Sequence, residues 1–125
     1  MPNSLEDLIV WQEGRALVKE VYQISDLGAF RLDLGLRSQI RRAVVSIPSN
    51  IAEGFERGGR REFHQFLTVA KGSCGEVRTQ LLLAADLGHV PPEGLRPALE
   101  RAARLSRLLG GMRKAVASQR KSRAL

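Results

Sequence analysis

The chain has 125 residues, enough for one domain with a real core and too few for two. Hydrophobic residues make up 43% and aromatics only 5%, with Leu, Ala and Arg abundant, which favours packed helices and argues against a β-sandwich. The formal net charge is +7, no apolar run is long enough to span a bilayer, and the acidic start MPNSLEDLIVWQEG is unlike a basic secretory leader, so a cytoplasmic protein without membrane association is expected.

The first predicted helix covers about 4–24, with Ser4 as its N-cap and Leu8, Trp11, Val18, Val21 and Tyr22 as its apolar face. Residues 27–31, with Gly28, read as a loop. The second helix, 33–57, opens on Asp33, whose carboxylate is placed to accept from free first-turn amides. Its apolar stripe is Leu36, Ile40, Ala43, Val44, Ile47 and Ile51. A polar stripe, Gln39, Arg42, Ser46, Asn50, Glu53 and Arg57, runs beside it about a quarter turn away. Pro48 interrupts both, at a cost of roughly 3 kcal/mol in a regular helix. Because the two stripes keep their phase across Pro48, a single kinked helix is predicted rather than two short ones. Gly54 and Gly58 are read as helix-ending glycines, and Gly58-Gly59 as the turn.

The third helix, 60–87, repeats Phe63, Phe66, Leu67, Ala70, Cys74, Val77, Leu81 and Ala84 on one face and Glu62, Ser73, Glu76 and Gln80 beside it. Gly88 and Pro91-Pro92 stop it. The fourth, 92–118, presents Leu95, Leu99, Ala102, Leu105, Leu109, Met112 and Val116, followed by a basic flexible tail over 119–125. Long amphipathic helices with short connections predict an all-α, antiparallel up-down-up-down four-helix bundle forming a single domain over 1–118.

Packing the second and third helices antiparallel through their apolar faces brings both polar stripes to one edge of the pair. The expected result is a polar seam of Arg42, Ser46, Asn50, Glu53, Arg57, Ser73 and Glu76, with Arg42 and Arg57 pairing with Glu76 and Glu62 and Asn50 facing Ser73. Such a seam serves as a solvated flank, a network at a subunit interface, or a ligand or catalytic site; the spacing alone leaves all three open.

Charge is unevenly spread. Residues 1–95 carry 11 Lys/Arg against 12 Asp/Glu, whereas residues 96–125 carry 9 against the single Glu100. On the fourth helix Arg96, Arg104, Arg107 and Lys114 share an arc opposite the apolar stripe, with Arg113, Arg120, Lys121 and Arg123 nearby or beyond. This is either a polyanion-binding surface, for RNA or DNA backbone, or a solvated helix face with a basic tail. Sequence-specific readout is not expected, because Trp11 and Tyr22 are assigned to the core and few aromatics remain for base stacking.

Outside the seam, whose carboxylates are the one basis for an enzyme reading, nothing in the chain suggests catalysis, a cofactor or a metal, and a non-enzymatic protein is expected. There is no HExxH and no paired CxxC, His64 and His89 fall on different elements, and the glycines form neither a Walker loop nor GxGxxG after a strand. The single cysteine, Cys74, lies in an apolar stripe as a buried, inert thiol, and has no internal disulfide partner.

The run Q-I-R-R-A-V-V-S-I-P-S-N-I-A-E-G at 39–54, the start D-L-I-V-W-Q at 7–12 and F-L-T-V-A-K-G-S-C-G-E at 66–76 resemble the bacterial four-helix-bundle family named after proteins encoded in intervening sequences of 23S rRNA genes. The resemblance covers nearly the whole chain. It implies an antiparallel four-helix bundle assembled as a homopentamer, with distant relatives that act as accessory proteins of diversity-generating retroelements and engage a reverse transcriptase and nucleic acid. It also implies a structural role for the seam residues, in shaping the helix at Pro48 and fixing packing within or between subunits. Two features depart from it, the added Gly75 after Gly72-Ser73-Cys74 and the arginine-rich end after Ala115.

Overall fold

A computed structural model describes the backbone of residues 4–124 and the side chains of residues 4–119. Helix α1 is Ile9–Ile24, α2 Gly28–Leu32, α3 Leu34–Glu56, α4 Arg60–Asp86 and α5 Pro92–Ala124, with a 3-10 turn at Leu5–Asp7 ahead of them. Helix α3 packs on α4, α4 packs on α5, and α1 closes the ring against both α3 and α5. Short connections between long helices leave only antiparallel neighbours, so the chain is an all-helical four-helix bundle. Leu17, Val21, Ile40, Ile47, Ile51, Leu67, Leu81, Leu95, Leu105 and Leu109 are fully buried along its axis. Each such side chain contributes roughly 1.5–3 kcal/mol of burial.

The start of the chain differs from the sequence expectation. Ser4 does not cap a long helix; its hydroxyl donates to Asp7 Oδ2 at 2.9 Å, and α1 begins only at Ile9, after an extended Leu8. Leu8 is buried but lies outside the helix, so it does not set the helical phase. The buried face of α1 is Val10, Gly14, Leu17 and Val21, with Trp11 and Val18 half-buried at its edge. Tyr22 is turned outward, 40% exposed, beneath the Arg41 guanidinium 4.2 Å from its ring centre. Gly14 brings α1 onto α3, since a Cβ there would lie 3.5 Å from both Cβ and Cδ of Pro48. The proline ring is therefore part of a helix–helix contact.

Residues read as a loop form the short helix α2, held by a fully buried Phe30. Asp33 then caps α3 as expected, accepting from the Leu36 amide at 3.1 Å. Helix α3 runs without interruption across Pro48 and ends at Glu56. Gly54 does not end it. It is buried inside the last turns, where an added Cβ would fall 2.7 Å from Phe66 Cβ, so it marks the closest approach of α3 to α4. The turn itself is made by Gly58, at a φ of 77° that favours glycine. At the far end α5 continues as helix to Ala124, past residue 118 and through the segment expected as a tail.

Candidate nucleic-acid interface

Of the seam residues, Ser46 and Ser73 meet. Their hydroxyls are 2.7 Å apart, and Ser46 Oγ also lies 2.6 Å from the Ala43 carbonyl oxygen. One hydroxyl proton serves one of these bonds at a time, so Ser73 is the donor whenever Ser46 gives its proton to Ala43. Asn50, expected opposite Ser73, instead turns back on its own helix and donates from Nδ2 to the Ser46 carbonyl at 2.7 Å. Arg57 pairs with Glu53 on the same helix at 2.8 Å and does not reach Glu62, which folds back against Gly59. Arg42 and Glu76 are exposed, and no ion pair joins them among the described residues. The reason is reach: short serines sit at the α3–α4 contact, whereas the charged members lie farther round each helix and stay in water. Among the described residues no base stands within hydrogen-bond distance of either hydroxyl, and the pair is a part-buried bond between α3 and α4.

The cations of α5 fall into two groups. On the side facing α1, Arg101 bridges Glu13 and Glu20, and Arg104 reaches Glu13 at 3.2 Å. Neither carboxylate partner was marked by sequence pattern, since both lie more than eighty residues away in the chain. These arginines are locally neutralised. On the side facing α4, Arg107, Arg113 and Lys114 line a groove of about 570 Å³ together with Lys71 and His64 of α4, and the lining includes no carboxylate. Its floor is Gly110-Gly111. Arg113 Nε is shut off from solvent and finds no hydrogen-bond partner among the described residues, a condition that costs a charged donor roughly 1–3 kcal/mol. Beyond the groove, Arg60 Nη1 reaches the Gln119 carbonyl at 3.5 Å. Arg96 is exposed near the other end of α5. The side chains of Arg120, Lys121 and Arg123 lie outside the described residues.

The outer face of α4 has a different character. Thr68, Gly72, Gly75 and Thr79 follow one another at helical spacing on the exposed side. Both threonine hydroxyls turn back onto helix carbonyls, Thr68 to His64 and Thr79 to Gly75, each at 2.9 Å. A smooth strip results, edged by exposed Val69 and Leu83.

Two further polar corners escaped the sequence reading. Arg41 donates to Ser25 Oγ at 2.8 Å and to the Tyr22 carbonyl at 3.2 Å, closing the C-terminal end of α1. His89 Nε2 lies 2.8 Å from Asp33 Oδ2 and its ring lies beside Phe30. Hydrogen bonds from His89 and from the Leu36 amide hold the Asp33 carboxyl below its ordinary range. Cys74 is fully buried, and burial pushes its thiol up to about 11. Among the described residues no group of His, Cys, Asp or Glu is arranged to hold a metal ion, and no helix is long and apolar enough to cross a membrane.

No curated protein matches the chain. A solved structure of a protein with unknown function from the S23 ribosomal protein family of Bacteroides thetaiotaomicron superposes with a TM-score of 0.77 at 19% identity, covering 85% of this chain and 99% of the other. That likeness supports the bundle fold. Residues 6–111 match the family model described as 23S rRNA-intervening sequence protein, and the chain belongs to that family.

Proposed function

We propose that this protein is a non-enzymatic, cytoplasmic homo-oligomer that associates with the backbone of RNA or DNA and serves as an adaptor. The observation that carries the reading is the division of charge on α5. One flank is cancelled by Glu13 and Glu20, while the flank toward α4 keeps Arg107, Arg113 and Lys114 beside Lys71 with no carboxylate in the lining. A concentrated surface of uncompensated cations attracts polyphosphate through counterion release. The family description, which refers to an rRNA intervening sequence, fits a nucleic-acid setting. A reverse transcriptase or another nucleic-acid-handling protein is a natural partner for such an adaptor.

The homo-oligomer part of the reading draws on the strip along α4. Glycines and folded-back threonines allow close helix approach, and exposed Val69 and Leu83 supply apolar area for a second copy. A pentamer is the order implied by the resemblance at residues 39–54. The same strip favours a second reading, a protein-interaction scaffold that does not bind nucleic acid. Titration of the assembled protein with single- and double-stranded RNA and DNA at low salt separates the two. Binding that weakens steeply with added salt is the expected outcome, and absence of binding to every nucleic acid leaves the scaffold reading in its place. Sedimentation of the same sample tests self-association, and a monomer at working concentration refutes the homo-oligomer.

A further inference from the structure

Resting on the nucleic-acid reading above, we infer that the α4–α5 groove seats the backbone of a double helix, holding about two consecutive phosphates of one strand per chain and leaving the bases untouched. On α4, Lys71 follows His64 by seven residues, and on α5, Lys114 follows Arg107 by seven. At the helical rise each pair spans ~10 Å of groove. Phosphates of one duplex strand step ~3.4 Å along the axis while turning about it, which sets them roughly 7 Å apart along the backbone, so that length faces about two of them.

The lining suits phosphate and little else. Lysine and arginine only donate, so Lys71, Arg107, Arg113 and Lys114 favour an anionic ligand, and His64 is the one described side chain of the lining with an acceptor. Gly110 lets Lys71 lie across α5, because a Cβ there would come within 3.3 Å of Lys71 Cε. Nothing lies within 4 Å of where a Cβ of Gly111 would stand, which leaves the floor bare for close approach.

Single-strand binders add aromatic platforms on which bases stack. The only ring in this lining is His64. Tyr22 is engaged with Arg41 at the other end of the bundle, and Trp11 is half-buried beneath Arg15. One imidazole ring gives bases little to gain by leaving their stack, so the groove favours a duplex.

The test uses the assembled full chain with a short DNA duplex, an RNA duplex and a single strand of matched length, each titrated across a salt series. Tighter binding of a duplex than of the single strand is expected, and the DNA and RNA arms identify the source of the phosphates. With about two phosphates neutralised, log K falls against log salt with a slope of about −2 per chain engaged on B-DNA. Lys71→Gln and Lys114→Gln should each reduce that slope by about 1 per engaged chain. Arg104→Gln, whose charge already faces Glu13, should leave it unchanged. Circular dichroism confirms that the variants remain folded. Duplex binding that loses slope in Arg104→Gln but not in the two lysine variants overturns the groove while sparing the nucleic-acid reading. Preferred binding of the single strand, or equal competition by polyglutamate at the same ionic strength, also overturns it. Failure to bind any nucleic acid refutes the broader reading itself.

Discussion

Gly54 offers a substitution whose sign depends on a single contact. Alanine in place of glycine inside a helix is worth ~1 kcal/mol in propensity, so Gly54→Ala would stabilise an isolated α3. In the folded chain the new methyl would sit 2.7 Å from Phe66 Cβ, 3.1 Å from Phe63 Cδ1 and 3.3 Å from Phe63 Cα. Carbon atoms pack favourably at roughly 3.5–4.0 Å, so α3 and α4 must part by about 1 Å. Neither Phe66 Cβ nor Phe63 Cα can rotate away, because both are fixed to the backbone. Overpacking of this kind costs about 1–3 kcal/mol, and backbone-fixed atoms place this case in the upper part of that range. After the propensity gain, a net loss of about 1–2 kcal/mol is expected, a drop of roughly 4–8 °C in melting temperature for a chain of this size. Gly111→Ala is the control, because no atom lies within 4 Å of its added carbon, and it should raise the melting temperature by a few degrees. Thermal and urea denaturation of the two variants beside the parent measure the difference. If Gly54→Ala melts at or above the parent, the α3–α4 approach at Gly54 is not the constraint described above.

Arg101→Met removes the cation between Glu13 and Glu20, and a loss of about 1–2 kcal/mol at low salt is expected from urea unfolding. That loss should shrink at about 1 M salt, where the screening length is ~3 Å. The lowered Asp33 pKa predicts an acid-sensitive contribution: it is fully present above the ordinary value of 3.8 and lost as pH falls through the lower folded value. Melting temperature measured against pH should therefore fall less steeply on the acid side in Asp33→Asn than in the parent. Cys74, with its thiol at about 11 and no exposed surface, should resist iodoacetamide at pH 8 in the native protein and react promptly in denaturant.

The cores of α3 and α4 were legible because helical periodicity is local. Ile40, Val44, Ile47 and Ile51 on one helix, and Leu67, Cys74, Val77 and Leu81 on the other, are buried as their spacing predicts. The face of α1 was misplaced because its phase depends on where the helix begins, and that is set by the extended Leu8 rather than by composition. Phe30 turns an apparent loop into a helix through burial against the bundle, a tertiary effect without local signature. The handedness argument did bring Ser73 to α3, but onto Ser46 instead of Asn50, because the Asn50 amide finds a carbonyl on its own helix. Arginines that look alike along α5 part company only when α1 arrives with Glu13 and Glu20. Lys71 joins the groove by proximity alone, with no motif to announce it.

The segregation of cations on α5 also gives the molecule a direction. At the end of the bundle where α1 leads into α3, Asp26 is matched by Arg31 and Arg37, and Asp33 by His89. At the opposite end Lys71, Arg107, Arg113 and Lys114 are left without carboxylates in their groove. A groove so charged draws a negatively charged partner toward it as the two diffuse together. At physiological ionic strength the field reaches only ~8 Å before it is screened, so this attraction acts in the last steps of approach and shows itself as an association rate that falls with salt, alongside the loss of affinity from counterion release.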